Sequence, residues 1–174
     1  MDMEYLFDLL FSDEENNKKH TYTDTGESIT IFDYYSWHVA RVDGCEFDQR
    51  KSGKWMSRFS EDRFEWAKEI TENAVLRGIC KEAKCSLPQR IHEYGGIGTI
   101  ILYGEIDDFD FHKSCTQYMI ENNMIQKTKK GRLYNIGFKL DEQTREGQYG
   151  KEFLAELKLE DIRSLDTGEW KKDN

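Results

Sequence analysis

Lys51-Ser-Gly-Lys-Trp-Met-Ser-Arg-Phe59 is the stretch around which the rest of the chain is organised. Its last six residues have the pattern of a β-strand, in which successive side chains point to opposite faces. One face carries Lys54, Met56 and Arg58. The other carries Trp55, Ser57 and Phe59. Two cations on one face of a strand with aromatic residues on the other predict a floor that can hold an anion.

The bulk composition limits the classes of partner. The chain has 174 residues, a net charge of −9 and 13% aromatic residues, which suits one domain with a hydrophobic core. We expect no general nucleic-acid binding, because an acidic protein repels the phosphate backbone. We also expect no membrane contact: no stretch is apolar enough to span a bilayer, and the acidic N-terminus is not typical of a signal peptide.

The cysteines and histidines indicate neither disulfides nor a metal. Four cysteines contain no C-x-x-C pair, which favours reduced thiols and a cytoplasmic protein; they are Cys45, Cys80, Cys85 and Cys115. The four histidines lack carboxylate or thiol companions at ligand spacing. We therefore expect no metal and no cofactor, and the sequence carries no signal for an oligomeric state.

The N-terminal region is predicted to precede the domain. Residues 2–12 have the spacing of a short helix that could dock on the domain or on a partner. Residues 13–28 are polar and are predicted to be loop. This divides the chain into residues 1–28, an N-terminal helix with a polar loop, and a single domain over residues 29–174.

Periodicity predicts the elements of that domain. Strands are predicted within residues 29–42 and over 54–59, 80–86, 99–105 and 132–140, and helices over 61–77, 107–123 and 151–163. Ser60 is predicted to cap the first helix, and Gly78 to end it. Segments 88–98 and 141–150 are predicted loops. The glycines at 95–98 precede a strand, which favours a hairpin over a phosphate-binding loop.

Hairpins outnumber helical crossovers in this order. The expected fold is therefore α+β, with one curved, mostly antiparallel sheet and helices packed on one face. In the last strand, we expect Tyr134, Ile136, Phe138 and Leu140 to face the core and Lys139 to face the other way. The second face of the sheet would be partly open, and such concave faces are common ligand sites.

Cations recur on what would be this open face. The strands supply Lys54, Arg58, Lys84 and Lys139, and Arg41, Arg90 and Arg145 could join them. Any single one could simply be solvated. Gathered in an acidic protein, they favour a bound anion, to which arginine offers a planar fork and lysine a point charge.

Two aromatic residues are candidates to contact the organic part of a ligand. Trp37 is predicted to share a face with Arg41, which makes it the best stacking candidate among the tryptophans. Tyr103 could pack in the core or line a pocket. The alternative for each tryptophan is burial in the core, which is the commoner role of this residue.

Residues 53–105 resemble the core of the bacterial phosphothreonine lyases and of the lyase-like domain in the basophilic-leukaemia-expressed proteins. The matching pieces are Gly53-Lys-Trp55, helix 61–77, Ala83-Lys-Cys-Ser86 and strand Gly98–Glu105. Residues 138–149 resemble a later basic loop of the second family. That family has a fold similar to the cap-binding translation initiation factor.

The resemblance implies a role for several residues. Lys54 would contact phosphate, and Lys84 would be the catalytic base that removes the Cα proton as phosphate is eliminated. Tyr103 would lie near that base, and Arg90 and Arg145 would bind phosphate. The lyases have a histidine as general acid two residues after the first lysine, where this chain has Met56. Methionine cannot protonate a leaving phosphate, and Glu105 also replaces a basic residue.

Three functions follow from these residues. The first is a pocket for a phosphorylated small ligand, such as a nucleotide or a nucleotide second messenger, without lyase chemistry. The second is a carbon–oxygen lyase acting on phosphothreonine in a phosphopeptide, in which His92 could replace the missing acid. The third is a protein-interaction module that uses the N-terminal helix or a sheet edge.

Overall fold

The computed structural model of the protein describes residues 18–171. Within them, eight strands form one open sheet. The strands are β1 (Lys19–Tyr22), β2 (Ser28–Tyr34), β3 (Trp37–Val42), β4 (Ser52–Ser60), β5 (Glu82–Ser86), β6 (Ile97–Glu105), β7 (Gly137–Leu140) and β8 (Leu157–Lys158). Their order is β1-β2-β3-β5-β6-β4-β7-β8, and all neighbours are antiparallel. The predicted α+β class with an antiparallel sheet is confirmed.

Helices lie between and after the strands. They are α1 (Phe64–Leu76), α2 (Pro88–Glu93), α3 (Phe109–Glu121), α4 (Asp141–Arg145) and α5 (Leu159–Ile162), with 3-10 turns at Glu61–Arg63 and Gly150–Glu152. The N-terminal helix predicted over residues 2–12 falls outside the described part of the chain. Among the described residues, no helix combines the length and the apolar character that crossing a membrane requires.

The core lies between the sheet and the two long helices. Helix α1 buries Ala67, Ile70 and Ala74, and α3 buries Cys115 and Met119, because these residues recur on one side of each helix. The four cysteines are unpaired, as predicted, and all of them are buried. Both helices therefore cover the same face of the sheet.

Trp55 fixes the central strand β4 to α3. Its indole Nε1 donates a hydrogen bond to Nδ1 of His112 at 3.0 Å, and Nε2 of His112 donates to the carbonyl of Ile106 at 2.8 Å. Both side chains are fully buried. Because side chains alternate along β4, this anchor turns Lys54 and Met56 to the opposite face.

Three segments predicted as loops contain regular structure. Residues 19–22 form β1, because this segment finds hydrogen-bonding partners along β2. Within segment 88–98, Pro88 begins α2, a position at which its fixed φ suits a helix and its missing N–H costs nothing. Within segment 141–150, α4 forms, and Gln143 accepts a hydrogen bond from the Leu140 amide through its side chain.

The predictions for residues 132–163 are wrong in two places. Strand β7 covers only Gly137–Leu140, so Tyr134 is exposed, whereas Ile136 is partly buried, packs against the core and also lines the pocket described below. The helix predicted over 151–163 is replaced by an extended segment, β8 and α5. Pairing of Leu157 with Phe138 buries Leu157 and leaves Leu154 exposed, which a continuous helix would not do.

Ser60 does not cap α1 as predicted. Its hydroxyl donates to the carboxylate of Asp62 at 2.5 Å, and the 3-10 turn Glu61–Arg63 separates it from the helix. The end of α1 follows the prediction, because Gly78 adopts a positive φ of 72° just after the helix.

Candidate anion-binding site

A pocket of about 810 Å³ lies on the sheet face opposite α1 and α3. It is lined from the sheet, from α2 and from the segment that follows β7. Among the described residues 18–171, no aspartate or glutamate lines it. Five of its lining residues are cations, Lys54, Arg58, Lys84, Arg90 and Lys139, and five are aromatic, Trp37, Tyr94, Tyr103, Tyr149 and Phe153. In a chain of net charge −9, this lining is locally positive, and a positive surface favours anions over cations.

The register of the sheet arranges the floor of the pocket in three rows. The first row contains Trp37, Ser86, Thr99 and Arg58. The second contains Val39, Lys84, Ile101 and Met56. The third contains Arg41, Glu82, Tyr103, Lys54 and Lys139. Strand order thus places lysines from β4, β5 and β7, which are distant in sequence, on one surface.

The carboxylates of Glu82 and Asp141 act on the charge of Lys84 without pairing with it. Within residues 18–171 its ammonium makes no hydrogen bond and no ion pair; it lies 4.0 Å from the centre of the Trp37 ring and 5.7 Å from that of Tyr103. Burial, then the charges of Lys54 and Arg90, lower the pKa of Lys84 from 10.5 to about 8. An anion placed beside Lys84 would restore its charged form.

Lys54 has a carboxylate partner just outside the pocket lining. Its Nζ lies 3.0 Å from Oδ1 of Asp141, the first residue of α4, and only 8% of Lys54 is exposed. Glu82 is the second carboxylate near the floor, where burial raises its pKa. The third row therefore contains its own anions, whereas no acidic residue stands in the first and second rows.

Lys139 is held by the segment that follows α4. Its Nζ donates to the carbonyl of Gln148 at 2.5 Å and lies 4.0 Å from the centre of the Tyr149 ring and 5.2 Å from that of Phe153. Burial, and then the charge of Lys54, lower the pKa of Lys139. The segment therefore forms an aromatic wall over the β7 side of the pocket.

The ring of Trp37 contacts two cations of the pocket, Lys84 and Arg90. Besides Lys84, the guanidinium carbon of Arg90 lies 4.3 Å from the centre of its ring and 4.5 Å from that of Tyr94. Such cation–π contacts contribute about 0.5–2 kcal/mol each. Trp37 thus holds two cations at the β3 side of the pocket.

The structure brings together seven of the nine residues that the sequence singled out. Trp37, Lys54, Arg58, Lys84, Arg90, Tyr103 and Lys139 line the pocket. Arg41 and Arg145 do not. Arg41 turns toward the β3–β4 connection, where it donates to the carbonyl and the sulfur of Cys45. Arg145 is exposed and reaches the carbonyl of Gln49.

Several residues that line the pocket or lie beside it were not predicted from the sequence. Tyr94, Tyr149 and Phe153 had no role assigned, because they lie in segments predicted as loop or helix. Asp141 immediately follows a strand that carries a lysine, which is a signal that could have suggested it. Thr144 also lines the pocket, and its hydroxyl is buried without a hydrogen-bond partner among the described residues.

The pocket is poor in proton donors for a leaving group. No histidine lines it: His92 is exposed on α2, and His112 is bonded to Trp55 on the other face. Met56 lies on the floor, two residues after Lys54, and carries no exchangeable proton. Burial raises the pKa of the Tyr103 phenol, so it stays protonated. Among the described residues, no group of histidine, cysteine and acidic side chains could hold a metal ion.

Comparison of the sequence with models of known protein families and with curated proteins gives no match. The chemistry of the site is therefore argued from its own residues.

Proposed function

We propose that the protein binds a phosphorylated small molecule, a nucleotide or a nucleotide second messenger, in this pocket. The observation that supports the proposal is a lining of five cations and no carboxylate in a protein of net charge −9. Like charges confined to one pocket repel each other, and a phosphate group offers the acceptor oxygens that offset this repulsion.

The electrostatics of Lys84 support the same proposal. A pKa lowered to about 8 means that the folded protein disfavours the charged form of this amine. A phosphate dianion beside Lys84 favours the charged form, so binding and protonation strengthen each other. Binding would therefore also stabilise the folded chain.

The size and the walls of the pocket suit a nucleotide. A volume of about 810 Å³ lies at the upper part of the usual range for small-molecule sites, roughly 300–1,000 Å³. Five aromatic residues line it, and an aromatic ring can stack on any nucleobase. A phosphate alone would leave most of this apolar wall unused.

Binding without lyase chemistry is the version that the residues favour. Lyase chemistry needs an acid that protonates the leaving phosphate oxygen, and Met56 cannot supply a proton.

The unpaired cysteines support a cytoplasmic setting for this binding protein, because free thiols persist in a reducing compartment.

A thermal-shift experiment tests the proposal. Mononucleotides and cyclic nucleotides are screened against the wild type and against the double variant Lys54→Met with Lys84→Met, which keeps the aliphatic stems. The matched control is Lys129→Met with Lys130→Met, two exposed lysines outside the pocket. We expect ligands to raise the Tm of the wild type and of the control, but not of the pocket variant. Equal shifts in all three proteins, or none in any, would contradict the proposal.

A second candidate function is a lyase that acts on phosphothreonine. It corresponds to the resemblance of residues 53–105 to the phosphothreonine lyases. Lys84 favours it, because an unpaired amine with a pKa of about 8 is a competent base near neutral pH. The test is incubation with a phosphothreonine peptide. Loss of one phosphoric acid by the peptide, abolished in Lys84→Met and retained in the control, would support the lyase.

A further inference from the structure

The cations on the two sides of the pocket differ in whether they already have a hydrogen-bond or ion-pair partner. No carboxylate within residues 18–171 pairs with Lys84 of β5, with Arg90 of α2 or with Arg58 in the first row on β4. The side chains of these three cations donate no hydrogen bond to another described residue. On the side of β7, Lys139 already donates to the carbonyl of Gln148, and Lys54 to Asp141. The cations that still need an anion are therefore concentrated on the β5 side.

The β7 side offers surface for a planar ring. Ile136, Tyr149 and Phe153 line it, and Gly137 and Gly150 present no side chain that would obstruct approach. The buried hydroxyl of Thr144 lies in the same wall and has no hydrogen-bond partner within residues 18–171. A polar group left unpaired costs about 1–3 kcal/mol, so the edge of a nucleobase that reached this hydroxyl would find a ready partner.

The distance between the β5 side and the β7 side of the pocket is short enough for one ligand molecule to contact both. Lys84 and Lys139 stand on β5 and β7, which are three strand spacings apart in the sheet. At about 4.8 Å per spacing, the strand axes are roughly 14 Å apart. The side chains between them are the apolar Ile101 and Met56, then Tyr103, and finally Lys54 beside Lys139.

We infer that the pocket orients its ligand, with a terminal phosphate between Arg58, Lys84 and Arg90 and a planar ring against Tyr149 and Phe153. This inference rests on the function proposed above and deepens it. It assigns the ligand to molecules with a terminal phosphate at one end and a base at the other, as in a mononucleotide. Trp37 then holds the phosphate-binding cations, and the segment after α4 selects the base.

The test compares one variant on each side of the pocket with two probes. AMP is titrated calorimetrically, and inorganic phosphate is titrated by ³¹P NMR. We expect Lys84→Met to weaken both probes by about 10-fold or more, because it removes a charge-assisted contact. We expect Phe153→Ala to weaken AMP by about 5-fold or more and to leave inorganic phosphate unchanged. Phe153→Leu serves if the alanine variant does not fold.

Two further variants sharpen the assignment. Lys139→Met is expected to weaken inorganic phosphate binding less than Lys84→Met does, and Thr144→Val to change the ratio of affinities among AMP, GMP, CMP and UMP. If Lys139→Met or Phe153→Ala abolishes phosphate binding while Lys84→Met does not, the orientation is wrong and the proposed function stands. If the wild type binds no phosphorylated probe, the proposed function and this inference both fail.

Discussion

Lys54 and Lys139 stand directly opposite each other on β4 and β7, with 8% and 5% of their surfaces exposed. Like charges at facing positions of neighbouring strands repel each other. Asp141 accepts a hydrogen bond from Lys54, and the carbonyl of Gln148 accepts one from Lys139. The segment after β7 thus supplies the acceptors that make this lysine pair tolerable, and Asp141 acts as an internal anion beside the pocket.

Asp141→Asn is expected to separate stability from binding. Without the carboxylate, Lys54 is a buried charge with a weaker partner, so we expect the free energy of unfolding to fall by about 1–3 kcal/mol in the absence of anions. We expect AMP to bind more tightly, by about 3–10-fold, because loss of this carboxylate makes the electrostatic potential at the pocket more positive. Urea unfolding and AMP titration measure the two effects.

The control for this prediction is Glu142→Gln, which removes an exposed carboxylate from the same helix. It is expected to change neither quantity by more than about 0.5 kcal/mol. Weaker AMP binding by Asp141→Asn would show that this carboxylate contacts the ligand instead of competing with it.

The pH dependence of binding is set by Lys84, whose pKa is lowered to about 8. In the free protein this amine is mostly charged at pH 7 and mostly neutral at pH 9. The phosphate of AMP is dianionic throughout, because its second pKa is about 6. We expect AMP affinity to fall by about 10-fold between pH 7 and pH 9. In Lys84→Met the affinity is lower and nearly constant over this range, and an equal fall in that variant would assign the titration to another group.

The same lowered pKa predicts the direction of a stability change. Between about pH 8 and pH 10.5 the unfolded chain binds more protons at Lys84 than the folded chain. Folding is therefore favoured as pH rises through this window, and the penalty of the buried charge is fully present below it. Wild type should gain stability relative to Lys84→Met from pH 7 to pH 10, as measured by urea unfolding.

The contact between Trp55 and His112 predicts sensitivity to acid. His112 accepts from Trp55 through Nδ1 and donates through Nε2, which requires the neutral ring. Burial lowers the pKa of His112 below its ordinary 6.5. The contribution of His112 to the free energy of unfolding is fully present above pH 6.5. It is lost as the pH falls through the pKa of His112 in the folded protein.

Urea unfolding at pH 7.5 and pH 5.5 measures this effect. His112→Gln is expected to be less stable than wild type at pH 7.5 and to lose less stability on acidification. Trp55→Phe should cost about 1–3 kcal/mol at pH 7.5, because it leaves Nδ1 of His112 buried and unpaired. Parallel pH profiles for wild type and His112→Gln would show that another group senses the acid.

Much of the sheet could be predicted from the sequence, because strong alternation assigns faces locally. Trp55 and Phe59 are buried while Met56 and Arg58 line the pocket, as the pattern of β4 required. The long helices were found for a similar reason, since Ala67, Ile70 and Ala74 repeat at helical spacing.

The region after residue 132 was predicted poorly. The spacing of apolar residues over 151–163 is compatible with a helix as well as with an extended chain. Tertiary contacts favour the extended chain. Gln143 accepts from the amide of Leu140 and donates to the carbonyl of Leu154, which closes the chain into a loop that a helix could not form. Pairing of Leu157 with Phe138 then completes the sheet edge.

Alternation alone determined that Lys54, Lys84 and Lys139 would each lie on a strand face without a core role, because a two-residue period needs no distant partner. Which cations became neighbours was decided only by strand order. That order puts Lys139 beside Lys54, and the Lys54–Asp141 contact joins residues 87 positions apart. It also leaves Arg41 at the far end of its row with Cys45 as partner. Local pattern specifies the direction of a side chain, whereas a pocket depends on pairings between strands that are remote in the sequence.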